Sequence, residues 1–171
     1  METGRIPSMQ ETANRLAIAE VLAMHSRGVD RADTQTLKSC YWPDAQVAYG
    51  GFEGAAWTFC ESLPDAIKNF TATQHSIGNV LIEWMGDTAH TETYVTACHL
   101  GDEEMTFLGR YLDVMERRGD VWKIRHRQVV MDWNRNFTAT TRTSGAPFDG
   151  LARGGRYPDD PLCRHIDSAL D

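Results

Sequence analysis

Between Thr73 and Trp133 the chain reads as four long strand-like stretches in succession, and this run constrains the fold more than any other feature. The first, Thr73 to Trp84, is rich in β-branched and apolar residues (Ile77, Val80, Leu81, Ile82) and closes on a Met85-Gly86-Asp87 turn. The second, Thr88 to Leu100, alternates. Ala89, Thr91, Thr93, Val95, Ala97 and His99 share one face; His90, Glu92, Tyr94, Thr96 and Cys98 share the other. A polar turn, Gly101 to Glu104, leads into the third stretch, Thr106 to Arg117. Arg118-Gly119-Asp120 is a hairpin signal, and the fourth stretch is Val121 to Trp133. Connections this short join antiparallel neighbours, so this half of the chain is a meander.

The first half is helical. Ser8 and Glu11 have the spacing of a capping box, and a helix is expected from there to Val29 or Asp30. Ile18, Val21, Leu22, His25 and Val29 share one face of it, with Leu22, Ser26 and Asp30 along the edge. Asp33 can cap a second helix, Thr34 to Tyr41, broken by Pro43-Asp44. Ala45 to Tyr49 alternates like a strand, and Gly50-Gly51 ends it. Gly54 to Ser62 and Pro64 to Phe70 read as a helix pair divided at Pro64. From Asn134 the composition turns to glycine, proline and polar residues. The division expected is a domain over residues 1–135 and an extension over 136–171, packed on that domain or on a neighbouring subunit. Helices first and antiparallel strands later is an α+β plan. A curved sheet wrapped around the long helix leaves a cone closed at one end, suited to a small apolar ligand.

Composition narrows the function. At 171 residues and a net charge of -7, the chain lacks the basic footprint of a nucleic-acid or anionic-membrane binder. Cys40, Cys60, Cys98 and Cys163 are too dispersed for a common zinc site and fit reduced thiols in a cytoplasmic protein. The N-terminus has no apolar core of a signal peptide, and no apolar run is long enough to span a membrane.

Two residue types carry the chemistry. Asp30 lies inward, or close to it, at a helix C-terminus, where the dipole and apolar neighbours disfavour a carboxylate unless a donor sits against it. The plain alternative is that it ends the helix and faces water. His75 leads into a buried strand, as a satisfied core group or as a proton-transfer group. Antiparallel pairing sets the start of the first strand beside the end of the second, so His75 and His99 can be neighbours, with Tyr49 entering the same mouth. A carboxylate, two imidazoles and a phenol around an apolar hole form a general acid/base set. His25 reads as a hydrogen-bonded core group, and His90, His126 and His165 as surface residues.

Three segments also carry a resemblance: GVDRAD at Gly28 to Asp33, TQHSIG at Thr73 to Gly78, and GDVWKI at Gly119 to Ile124. With these, residues from about 10 to 135 resemble the NTF2-like, SnoaL-like superfamily, in the branch of scytalone dehydratase and hexachlorocyclohexane dehydrochlorinase. The resemblance implies an NTF2-like cone and, by position, an Asp30–His75 dyad, with Tyr49 and His99 matching further active-site residues of the dehydratase. Val29 departs from it, standing where the dehydratase has a tyrosine. The chemistry implied is proton abstraction beside a leaving group, without a cofactor or metal, on a small apolar cyclic or aromatic molecule. His75 would be the base, and Asp30 would hold its other ring nitrogen. Tyr49, His99 and Arg110 are candidates for holding the oxygen or leaving group, and Trp57, Phe59, Phe70 and Trp133 for the apolar lining. Their bland readings are strand aromatics, a strand cap, solvated charges (Arg127 as well as Arg110) and plain core. Rival outcomes are a retro-aldol lyase releasing formaldehyde from a lignin-derived phenolic diol, a ketosteroid-isomerase-type proton shuttle, and a non-catalytic assembly subunit like the small subunit of ring-hydroxylating dioxygenases. Apolar positions on the outer sheet face point to a homo-oligomer, trimer before dimer.

Overall fold

The computed structural model describes residues 4–141, 145–147 and 149–167; residues 1–3 and the rest of the expected C-terminal extension lie outside the described residues. Helix α1 runs from Met9 to Asp30. Ser8 Oγ accepts the Glu11 N–H at 3.1 Å, which satisfies one of the orphan donors of the first turn. The other half of the capping box is not made. The Glu11 carboxylate instead bonds Arg5 at 2.5 Å and Arg15 at 2.8 Å.

Helix α2 spans Thr34–Ser39, with Asp33 Oδ1 accepting from the Gln35 and Thr36 N–H groups at 3.1 and 3.0 Å. It stops before Tyr41, which opens strand β1, Tyr41–Ala48. Sequence placed Tyr41 in the helix; its pairing with Ile124 across the sheet draws it into the strand. Pro43 is tolerated because the β1 register shifts between Tyr41 and Gln46, so its missing N–H costs no ladder bond there. After the turn at Gly50, β2 (Glu53–Ala55) pairs back on β1, and α3 runs over Ala56–Ile67. Helix α3 is one helix, not two. Phe59, Cys60, Leu63 and Ile67 form one buried stripe along it, and that packing carries it past Pro64.

The meander follows as β3 (Ala72–Met85), β4 (Thr88–Leu100), β5 (Glu103–Arg118) and β6 (Val121–Thr138). The last two are longer than sequence suggested. Sheet order is β2-β1-β6-β5-β4-β3, antiparallel except for the parallel β1–β6 pair, so the sheet is open and mixed. Helix α1 lies across its inner face. Ile18, Leu22 and Val29 of α1 join Leu37, Val47, Met115, Trp122 and Ile124 in the core. Each such side chain contributes roughly 1.5–3 kcal/mol of burial. The outer face leaves Leu81, Tyr94, Trp133 and Phe137 exposed. In the extension, α4 spans Pro161–Asp167. Among the described residues no helix is long and apolar enough to cross a membrane, and no cluster of three His, Cys, Asp or Glu could hold a metal. The four cysteines are free; burial pushes the Cys60 thiol up to about 12.

Candidate active site

Helix α1 ends in a Schellman motif: the Asp33 N–H bonds Gly28 O at 2.9 Å and the Ala32 N–H bonds Val29 O at 3.1 Å. Ala32, where glycine is usual, takes the left-handed conformation at φ 51°. That stop leaves Asp30 in the last turn, against the first residues of β3.

Both oxygens of Asp30 are used. Oδ2 accepts the backbone N–H of His75 at 2.8 Å, and Oδ1 lies 2.7 Å from His75 Nδ1. A carboxylate there makes Nδ1 the protonated nitrogen, so the Nε2 lone pair is free; among the described residues Nε2 has no hydrogen-bond partner. The two side chains are 11% and 8% exposed. Clefts of about 560 Å³, between α1 and β3, and about 490 Å³, under residues 151–156, both reach Asp30.

The register sets the neighbours. Thr73 pairs with His99 and His75 with Ala97, so the two histidines stand diagonally on the inner face, ring centroids 5.4 Å apart. Phe70 lies 4.9 Å from the His99 ring. Burial, and then His75 nearby, push His99 down to about 4, so it is neutral near pH 7. Its Nδ1 is buried and has no hydrogen-bond partner among the described residues. Arg156 of the extension straps this end: Nη1 donates to Asp30 O at 2.9 Å and to Thr73 Oγ1 at 3.2 Å, and Nη2 to Phe70 O at 3.2 Å.

Deeper on the inner face is a polar network that sequence did not assemble. Arg127 and Asp113, with side chains 1% and 0% exposed, form a two-bond pair at 2.7 and 2.8 Å. Arg127 Nη1 also meets His25 Nδ1 at 2.9 Å, and its guanidinium lies 4.1 Å from the Tyr111 ring centroid. His25 Nε2 meets Tyr41 Oη at 2.9 Å and Tyr49 Oη at 3.4 Å. Burial raises the three phenols Tyr41, Tyr49 and Tyr111 above their ordinary value. His25 was expected as a core group; the network around it could have been suspected from Asp113, which shares strand parity with Tyr111 and Met115.

Three of the expected site residues stand elsewhere. Arg110 projects from the outer face, where it pairs with Glu92 at 2.8 Å and Asp132 at 2.9 Å. Trp133 pairs with Leu108 on that same outer face and is 48% exposed. Trp57 is on the open side of α3, 5.2 Å from Lys38 Nζ. Phe59 is buried and stacks on Tyr49 at 4.1 Å.

A long helix laid across an open, mixed six-stranded sheet is the architecture of the NTF2-like superfamily. Within it, the chain belongs to the SnoaL-like domain family, whose model matches residues 10–128. It is 29% identical over 127 residues to Rv2910c of Mycobacterium tuberculosis H37Rv, an uncharacterized protein; the match covers 70% of this chain and 86% of the relative. Its fold is similar to a type 2 hexachlorocyclohexane dehydrochlorinase (LinA), at TM-score 0.70 and 21% identity over 80% of this chain and 96% of the other. It is also similar to a Novosphingobium aromaticivorans DSM 12444 protein provisionally named scytalone dehydratase, at TM-score 0.68 and 18% identity, covering 83% and 97%. At these identities the two structural likenesses concern the fold.

Proposed function

We propose that the protein is a cofactor-independent lyase in which His75 removes a proton from a small, apolar, cyclic or aromatic substrate and Asp30 supports it. The 2.7 Å contact between Asp30 Oδ1 and His75 Nδ1 carries this reading, because it fixes the tautomer that leaves Nε2 as a base. In the elimination, the C–H proton moves to Nε2 and the C–H electron pair becomes a carbon–carbon double bond. The leaving group departs with its bonding pair. Where it is hydroxide, the imidazolium returns the proton and water leaves. Asp30 stabilises the imidazolium between these steps. Tyr49, His99 and Phe70 are the candidates for holding the substrate. The names borne by the dehydrochlorinase and dehydratase neighbours support elimination over other uses of the fold.

The catalytic domain is then residues 1–135, with residues 136–171 an extension packed on it or on a neighbouring subunit, in a cytoplasmic homo-oligomer, trimer before dimer. The exposed aromatic and aliphatic side chains of the outer sheet face support that association.

The test uses 4-hydroxy-4-phenylbutan-2-one. Elimination gives benzylideneacetone and water, while retro-aldol cleavage gives benzaldehyde and acetone, so the products separate the two chemistries. His75→Ala and Asp30→Asn should each lower turnover by about 10²–10⁴-fold. Unchanged turnover in either variant refutes the dyad. Retro-aldol products would replace elimination with carbon–carbon cleavage.

A further inference from the structure

A further cleft, of about 380 Å³, opens between the end of α1, the start of α2 and the extension; neither Asp30 nor His75 lines it. Three guanidiniums reach it, Arg27 and Arg31 from the end of α1 and Arg164 from α4, against two carboxylates, Asp33 and Asp160. Both carboxylates are spent on the protein itself. Asp33 caps α2, and its Oδ2 also accepts the Thr36 hydroxyl at 2.6 Å. Asp160 accepts the Gly155 and Leu162 N–H groups at 2.8 and 2.9 Å and pairs with Arg31 at 3.1 Å. Arg27, half-buried, and Arg164, exposed, are left over: among the described residues neither side chain makes a hydrogen bond or ion pair. The cleft thus carries one cation in excess, in a chain whose net charge is -7. Pro158, Leu162 and the Tyr157 side chain give it an apolar wall.

We propose that this cleft is a binding site for a small organic anion, its carboxylate or phosphate head held by Arg27 and Arg164 and its apolar body lying against Pro158 and Leu162. The inference goes beyond the lyase reading and stands without it. A guanidinium is a planar fork of donors that fits either head and keeps its charge at any working pH. Two unmatched cations in one cleft repel, and an anion between them turns that repulsion into attraction. A neutral ligand gains nothing from either charge, and a metal cation is opposed by both. A bare inorganic ion would leave the apolar wall wet, so the head needs a body. The site also joins two parts of the chain. Arg27 belongs to α1 and Arg164 to the extension, and between them the Tyr157 N–H bonds Arg31 O at 2.7 Å. An anion held by both arginines ties the extension to the helix, beside the link from Arg156 to Asp30 O.

The test is isothermal titration calorimetry of the full chain at low salt with phenyl phosphate, benzoate and the neutral benzamide. At least one of the two anions should bind with a stoichiometry of one, and benzamide should not. Tighter phenyl phosphate assigns a phosphate monoester to the cleft, tighter benzoate a carboxylate. Arg27→Gln and Arg164→Gln should each weaken that anion about 10–100-fold, the worth of a charge-assisted hydrogen bond. Arg153→Gln, which alters a guanidinium of the neighbouring cleft under residues 151–156, should leave the affinity unchanged. Arg164 is exposed, so its variant carries the test even where Arg27→Gln fails to fold. Hydrogen exchange reads the tie to the extension: with the anion at ten times its Kd, the Tyr157 amide should exchange about tenfold more slowly in wild type and not in Arg164→Gln. Neither anion binding up to its solubility, benzamide binding as well as benzoate, an unchanged affinity in folded Arg27→Gln or Arg164→Gln, or an unchanged Tyr157 amide would each overturn the proposal. Arg27 also lines the cleft that reaches the dyad, so the titration is repeated in His75→Ala. An unchanged affinity there supports a separate site; a lost one would put the anion at the dyad and overturn this inference while leaving the lyase reading standing.

Discussion

Replacing Asp113 by Asn removes one charge from the most deeply buried ion pair among the described residues while keeping its volume. The Arg127 guanidinium, 1% exposed, would then have no counter-charge, only a weaker amide acceptor at the end of two bonds that measure 2.7 and 2.8 Å. Removing one partner of such a pair costs about 3–5 kcal/mol, because an uncompensated buried charge is left behind. For a chain of this length each kcal/mol lowers the melting temperature by roughly 2–4 °C, so a fall of roughly 6–20 °C is expected. The assay is thermal and urea unfolding followed by circular dichroism. Asp44→Asn is the internal control: its Arg118 contact at 3.0 Å is exposed, and its loss should leave the melting temperature nearly unchanged. The double variant Asp113→Leu with Arg127→Met removes both charges. It should recover much of the loss, short by about 1–3 kcal/mol for the donor that His25 Nδ1 no longer receives. A cost under about 1 kcal/mol for Asp113→Asn, or a double variant as damaged as the single one, would refute the claim that charge matching holds this wall together.

His99 titrates near 4 in the fold against 6.5 unfolded, so the unfolded chain binds more protons between those values. Stability from its neutral form is complete above pH 6.5 and is lost as pH falls toward 4; His99→Gln should flatten that part of the urea midpoint against pH. Gly109→Ala should cost about 1–3 kcal/mol in urea unfolding, because a Cβ there would sit 2.1 Å from Val130 O and 2.6 Å from the Phe107 ring. Arg156→Ala removes the strap to Asp30, Thr73 and Phe70, and limited trypsin digestion should then cut faster after Arg153. Trp133→Glu should shift the protein to monomer in size-exclusion chromatography with light scattering; an unchanged oligomer would place the interface elsewhere, and a monomeric wild type would remove it.

The meander, the long first helix and the meeting of Asp30 with His75 were all readable from sequence, and for related reasons. Alternation with short turns leaves one pairing for β3, β4 and β5. A helix ending at Asp30 over such a sheet sets its carboxylate against the first residues of β3, where a donor across the gap can meet it. His75 supplies two donors, the backbone N–H and Nδ1–H, which is why one residue of β3 satisfies the whole group. Arg110 could have been placed correctly as well. It has the opposite parity to Tyr111, Asp113 and Met115, and strict alternation puts it on the outer face.

Arg127 and Trp133 could not be placed that way, because β6 breaks step twice. Trp122 and Ile124 face the core, and counting by twos would send His126 inward and Arg127 out. The register shift between Val114 and Met115 adds a residue to β6, so Arg127 falls opposite Asp113 and turns inward. A second shift, between Leu108 and Gly109, leaves Asp132 without a partner across the ladder, and Trp133 moves to the outer face beside Leu108. A one-residue slip exchanges the faces of everything beyond it. The two bulges therefore decide that the cation belongs to the interior network and the indole to the outer surface. A bulge has no signature in residue type when neither added residue is glycine, so the inner wall of this site is written in backbone register, while the dyad above it is written in side chains.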